Sequence, residues 1–306
     1  MSADTKIEWA HMPGFRGATW NPTRGCRKIS DGCKHCYAET FAERFRGVSG
    51  HAYEQGFDPR TAPDKLDLPL RTKAPTCWFV NSMSDLFLED FSDEYIAAVF
   101  GVMAAAPRHR FLVLTKRAER MRRWFEWVAR LGLGLDGKAP ERGRKMFGNV
   151  DSPWPLPNVF LGVSVENQAT ADERIPQLLA TPAAVRFVSY EPALEAVDFS
   201  PWLRASCSVH RKGDGYRCCA GEAPRLSPLQ WVIVGGESGP GARTTGLGWI
   251  RDAVNACRES GTPCFVKQVG ARVASGGSMP DRPRNRKGGD PAEWPEDLRV
   301  REWPEP

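Results

Sequence analysis

The feature that most constrains this chain is a repeated rhythm. Short apolar segments rich in β-branched and aromatic residues recur along it, each followed by a polar cluster and then by a stretch with helical periodicity. The segments fall at 77–81 (CWFVN), 111–115 (FLVLT), 159–164 (VFLGVS), 185–189 (VRFVS), 231–235 (WVIVG) and 264–267 (CFVK), with a weaker one near 17–21. They read as continuous apolar runs, the pattern of parallel strands covered on both faces or closed into a barrel. Helical spacing is expected over 92–106, 117–130, 169–180 and 248–260. In the first of these, Ser92 precedes an apolar series of Tyr95, Ile96, Val99, Phe100 and Met103, which gives a capped, core-facing helix.

Six or seven βα units predict an α/β fold, a partial or full TIM-type barrel of parallel strands, with a doubly wound sheet as the competing architecture. Two inter-strand spacings exceed one helix and its loops, so insertions are expected near 131–157 and 202–228. The barrel is expected over 1–270. Residues 271–306, rich in Pro, Gly and Arg, read as an irregular flap ending in a docked segment at 294–303.

With 41% hydrophobic and 26% charged residues over 306 positions, the chain has the composition of an ordinary globular protein, to which disorder, collagen and coiled coil are poor fits. Its longest apolar run, 95–106, is too short for a bilayer, and MSADTKIEWA lacks a secretory layout. The expectation is a cytoplasmic protein with no membrane partner. A net charge of +5 leaves its other partners open.

In either architecture the active site lies at the carboxyl ends of the strands, and those ends are polar here. Three carboxylates, Glu166, Glu191 and Glu237, and two lysines, Lys116 and Lys267, follow five different strands. They are expected to converge on one mouth, where Lys116, Glu191, Glu237 and Lys267 are the candidate catalytic groups.

The strongest local signal is GCRKISDGCKHCYAE, which spaces Cys26, Cys33 and Cys36 as C-x6-C-x2-C directly after the first strand. In a reducing compartment such clusters bind metal more often than they form disulfides. Three ligands are one too few for a structural zinc site, whereas a 4Fe-4S cluster held by three thiolates leaves one iron free for a substrate or cofactor. Cys77 begins its strand and so lies at the amino end, about 17 Å from the loop, against a metal–sulfur bond of about 2.3 Å. His35 is available as a fourth ligand, which keeps zinc open.

The cysteine loop, with NSMSDLF at 81–87, LTKRAERM at 114–121, LGVSVENQATADERIP at 161–176, RFVSYEP at 186–192 and WVIVGGESGPGAR at 231–243, resembles the phage-encoded three-cysteine-motif family, a divergent branch of the radical S-adenosylmethionine (radical SAM) superfamily. The resemblance runs over most of the chain. It implies a 4Fe-4S cluster on Cys26, Cys33 and Cys36 that cleaves S-adenosylmethionine reductively to a 5'-deoxyadenosyl radical, which then abstracts hydrogen from a substrate. It further implies a reductant protein of flavodoxin or ferredoxin type. By strand position, Ser82, Ser84 and Asp85 are assigned to the methionine amino group, and Ser164, Glu166 and Asn167 to the ribose. Lys116 is assigned to the methionine carboxylate, and Gly235-Gly236-Glu237 to an adenine-side or substrate-side loop.

Other features remain two-sided. Cys207, His210, Cys218 and Cys219 supply enough ligands for a second metal, but their spacing fits no zinc motif well, and reduced surface thiols compete. Cys257 and Cys264 read as buried hydrophobes. Basic runs at 142–145 and 282–287 point to a nucleic acid or nucleotide substrate; for the run at 108–123, with Trp124 and Trp127 nearby, a solvated helix face is the better reading, because Glu119 and Glu126 interleave. The functional alternatives are a non-catalytic, zinc-containing nucleic-acid-binding protein and a metal-independent hydrolase using Glu166, Glu191 and Glu237.

Overall fold

The structure, a computed structural model, describes residues 5–130, 155–203 and 228–305. Seven parallel strands form one sheet in sequence order: β1 (Arg16–Trp20), β2 (Thr76–Val80), β3 (Arg110–Thr115), β4 (Val159–Val165), β5 (Val185–Tyr190), β6 (Trp231–Gly235) and β7 (Cys264–Gln268). The sheet curls into a half-barrel and does not close, since β1 and β7 remain edges. Of the two expected architectures, the partial barrel is the one adopted.

Helices α1 (Tyr37–Glu43), α2 (Asp93–Ala104), α3 (Ala118–Arg130), α4 (Gln168–Leu179) and α5 (Leu247–Ser260) complete the principal elements. Ser92 caps α2 by accepting from the Tyr95 amide, and Asn167 caps α4 in a reciprocal box with Thr170. Both caps satisfy amides that a helix start leaves without partners. Helix α1 is absent from the sequence expectations, although Ala38 and Ala42 stand at helical spacing and pack on Phe57.

Every second strand residue faces outward against the helices. Trp78, Phe111, Leu161, Val188 and Val232 pack there with Ile96, Phe100, Trp124, Leu178 and Ile250. Trp124 is fully buried and stacked on Phe100 at 4.6 Å, and Trp127 packs against the same cluster. Core packing has thus taken up Trp124, which has no face left for a base. Arg120 and Arg122 in the same run pair with Asp93 and Glu126, so this run is a paired helix face.

The alternate residues face into the curl. Phe79, Leu112, Phe160, Phe187, Trp231 and Phe265 fill its lower half together with Trp9 and Met12 from the N-terminal segment. Gly162 makes room there, because a Cβ at that position would stand 2.5 Å from the Phe187 ring. Both chain ends close the bottom: Trp303 donates to the Trp9 carbonyl at 3.0 Å, and Trp231 to the Glu302 carbonyl at 2.9 Å. They also cover the sheet edges, Thr5 bonding to Gly17 on β1 and Val300 to Val266 on β7, which shields strand edges from other chains. In the C-terminal segment, Trp294 and Leu298 are buried in the outer core. Among the described residues no helix is long and apolar enough to cross a membrane.

Candidate functional site

Followed upward, the inward columns change character. Beyond Leu112 and Leu114 comes Lys116; beyond Phe160 and Gly162 come Ser164 and Glu166; beyond Phe187 and Ser189 comes Glu191; beyond Phe265 comes Lys267. The carboxyl ends are thus a polar mouth above an aromatic floor.

The residues expected to converge do so as ion pairs. Lys116 Nζ lies 2.6 Å from Ser164 Oγ and 2.5 Å from Glu166 Oε1. Arg174 from α4 closes on the other side of Glu166, with Nη1 3.2 Å from Oε2. Burial pushes the Glu166 carboxyl up, but the Lys116 and Arg174 charges and the hydrogen bonds from Lys116 and Ser30 outweigh it and hold the group below its ordinary value. Lys267 Nζ lies 2.5 Å from Glu191 Oε1, and Ser164 Oγ donates to the Glu191 carbonyl. Glu237 receives the Arg243 backbone amide and guanidinium. Burial opposes its ionisation, but those bonds and one from His35 bring it down to about 2.

The cysteine loop is seated on this mouth at three points. Arg117 donates to Cys26 Sγ at 3.6 Å and to the Arg27 carbonyl at 2.9 Å. Ser30 donates to Glu166 Oε1 at 2.8 Å, and His35 Nδ1 meets Glu237 Oε2 at 3.2 Å. Gly32 is required at the second point, since a Cβ would stand 2.3 Å from Glu166 Oε1. Further back, Gly25 pairs with Ser84, and Thr23 bonds to both Ser84 and Asn81. The loop is therefore braced against the end of β2.

Cys26, Cys33 and Cys36 are free, half-buried thiols. Cys33 lies close enough for its charge to act on both of the others. Burial first, then Asp85, pushes the Cys26 thiol up to about 12, against the pull of Arg117; burial also raises Cys36. Among the described residues no three His, Cys, Asp or Glu side chains are grouped to hold a single metal ion. His35, the fourth ligand available to the zinc alternative, turns its Nδ1 to Glu237. Cys77 is buried in the inner floor, and Cys257 and Cys264 are buried side by side. Cys207, His210, Cys218 and Cys219 lie outside the described residues, as does the basic run 142–145.

Several residues assigned to the cofactor are already committed. Ser82 Oγ bonds to Asn21, and Ser84 Oγ to Thr23. Asp85 is buried and receives Thr115 Oγ1, the Lys116 and Phe87 amides and Arg117. Asn167 is spent on the α4 cap. Asn81 stands at the end of β2 in a left-handed conformation with φ 61°. Its Oδ1 is buried with no hydrogen-bond partner, an arrangement that costs free energy unless a ligand donates to it. Gly236 at the β6 end allows close backbone approach, with Gly270 Cα 2.7 Å from where a Cβ would stand. Sequence reading places Asn81 and Arg117 at polar strand ends without a role, and misses Arg174 and Arg243. For Arg117 the signal was available, because a buried Asp85 demands a cationic or hydrogen-bonding partner.

Residues 4–293 match the family described as a protein of unknown function, DUF5131. The chain belongs to this family. No curated protein and no solved structure matches it.

Proposed function

We propose that this chain is a radical SAM enzyme, as the resemblance of its motifs implies. The observation that carries the reading is the seating of three free thiols on one loop, directly over a charged mouth at the carboxyl ends of a half-barrel. The donor set suits a four-iron cluster better than zinc. Each thiolate of such a cluster takes its own iron, whereas zinc needs its ligands on a tetrahedron with edges of about 3.8 Å. Bound on Cys26, Cys33 and Cys36, the reduced cluster would supply the electron that cleaves S-adenosylmethionine to its 5'-deoxyadenosyl radical.

The chain's own residues account for binding and orientation. Asn81 Oδ1 is an unpaired acceptor at the end of β2, which a turn of its side chain toward the mouth would offer to the cofactor's ammonium group. Lys116 Nζ has two of its three donors engaged and one left for a carboxylate. Arg117 holds Cys26 and the loop backbone together, and donors to cluster sulfur tune its reduction potential. The Lys267 and Glu191 pair offers a proton donor and acceptor on the substrate side, and the aromatic floor keeps water from entering from below.

The test is anaerobic reconstitution with iron and sulfide, then dithionite reduction with S-adenosylmethionine, following 5'-deoxyadenosine by mass spectrometry. The expected result is a brown protein that yields 5'-deoxyadenosine, and loss of that product in Cys26→Ala, Cys33→Ala and Cys36→Ala while circular dichroism stays unchanged. A colourless, zinc-loaded protein with no product would instead support the zinc-binding module.

A further inference from the structure

The mouth is flanked on opposite sides by two features that the reading above leaves unused. On the β6–β7 side, residues 271–290 carry five basic and two acidic residues, so three of the chain's five net positive charges lie in this one segment. The segment is pinned at the rim. Ala271 N donates to the Glu237 carbonyl, and Val269 N and Trp294 Nε1 both donate to the Gly288 carbonyl, each at 2.9 Å. Glu293 spends its carboxylate on the amides of Arg284 and Asn285, and Pro283 is buried between exposed neighbours. The backbone is thereby fixed while Arg282, Arg284, Arg286 and Lys287 stay exposed, and among the described residues none of the four makes an ion pair.

On the β2 side, α1 presents Tyr37 and Phe41, which share one helix face at i and i+4 and are 62% and 43% exposed. The Tyr37 hydroxyl donates to the Ser82 carbonyl at 2.5 Å, which fixes its ring above the end of β2.

We infer that the substrate is a single-stranded segment of nucleic acid laid across the mouth, its phosphates on Arg282, Arg284, Arg286 and Lys287 and a base stacked on Tyr37. Unpaired cations held on a fixed backbone neutralise phosphates, and an exposed, anchored ring gives any base a face to stack on. Strand order places β2 and β7 on opposite sides of the mouth, so a strand that engages both passes over Lys116, Glu166, Glu191 and Lys267. This inference names the substrate class for the function proposed above and rests on that reading for its chemistry, but binding can be measured without cluster or cofactor.

The experiment is fluorescence anisotropy of a short labelled single-stranded DNA with the metal-free full chain, at salt between about 50 and 200 mM. The wild type binds with an affinity that falls steeply with salt. In the triple variant Arg282→Gln, Arg284→Gln, Arg286→Gln, the slope of log affinity against log salt drops by about 2, since each phosphate contact on a single strand contributes about 0.7. Tyr37→Ala weakens binding at least about fivefold with the slope unchanged. Circular dichroism confirms that each variant is folded. An unchanged slope in the triple variant, unchanged affinity in Tyr37→Ala, or a mononucleotide that competes as well as the oligonucleotide would each overturn the inference. Failure to form 5'-deoxyadenosine would overturn the proposed chemistry and leave this result standing.

Discussion

The lower and upper halves of the half-barrel interior are built from the same strands and the same alternation of side chains, yet they share almost nothing chemically. Below, Phe79, Phe160, Phe187, Trp231 and Phe265 pack with Trp9 into a dry floor. Above, the inward columns of β3 to β7 end in charged residues, most of them paired, and those of β1 and β2 end in Asn21 and Asn81. The floor gains from removing apolar area from water and tolerates little change in shape. The mouth gains little net stability from its ion pairs, because desolvation offsets most of their attraction. What the mouth gains is position: its carboxylates hold Ser30, His35 and, through Asp85 and Arg117, Cys26. The lower half maintains the fold, and the upper half holds a loop over an opening.

Three substitutions test that division. The largest expected effect on stability is Trp231→Ala, which empties the floor and removes the bond to Glu302. It should cost about 3–5 kcal/mol in urea unfolding. A loss below about 1 kcal/mol would show that the floor is not the main support. Glu166→Gln should cost less, about 2 kcal/mol, because the amide keeps hydrogen bonds while Lys116 and Arg174 lose their charge partner. Its main effect should be on the loop, seen as faster tryptic cleavage at Lys28 and Lys34 with the barrel intact. Cleavage equal to wild type would remove the seating role of Glu166.

The smallest effect is one of pH. Glu237 is held at about 2, below the ordinary value of about 4.3. Because the folded value is depressed, the stabilisation is present above the ordinary value and is lost as pH falls through about 2. Near-ultraviolet circular dichroism should therefore show an acid transition between about pH 4 and 2 that Glu237→Gln lacks. The same transition in both proteins would assign it to another carboxylate.

Much of this was legible in sequence. Seven apolar runs with helical spacing between them gave the strands to within a residue or two, because burial on both faces leaves a strand few polar positions. The polar strand ends marked Lys116, Glu166, Glu191, Glu237 and Lys267, since topology alone sends the ends of parallel strands to one side. The spacing of Cys26, Cys33 and Cys36 marked the loop. Helix α1 escaped because it is a single short element of seven residues whose buried face is two alanines packed on Phe57. Trp124 shares the helical spacing of Met121, Phe125 and Val128, which places it on the core side of its helix in sequence as in structure.

Partnership was decided only in three dimensions. Nothing local to Asp85 distinguishes it from a ligand-binding carboxylate; it is the arrival of Arg117 and Thr115 from the next strand that occupies it. The same holds for Asn167, taken by its own helix, and for Asn81, left with an open acceptor. Period and burial are properties of neighbouring residues and can be read along the chain. Hydrogen-bond saturation depends on residues far apart in sequence, about 30 positions for Asp85 and Arg117 and about 200 for His35 and Glu237, and only the folded sheet brings them together.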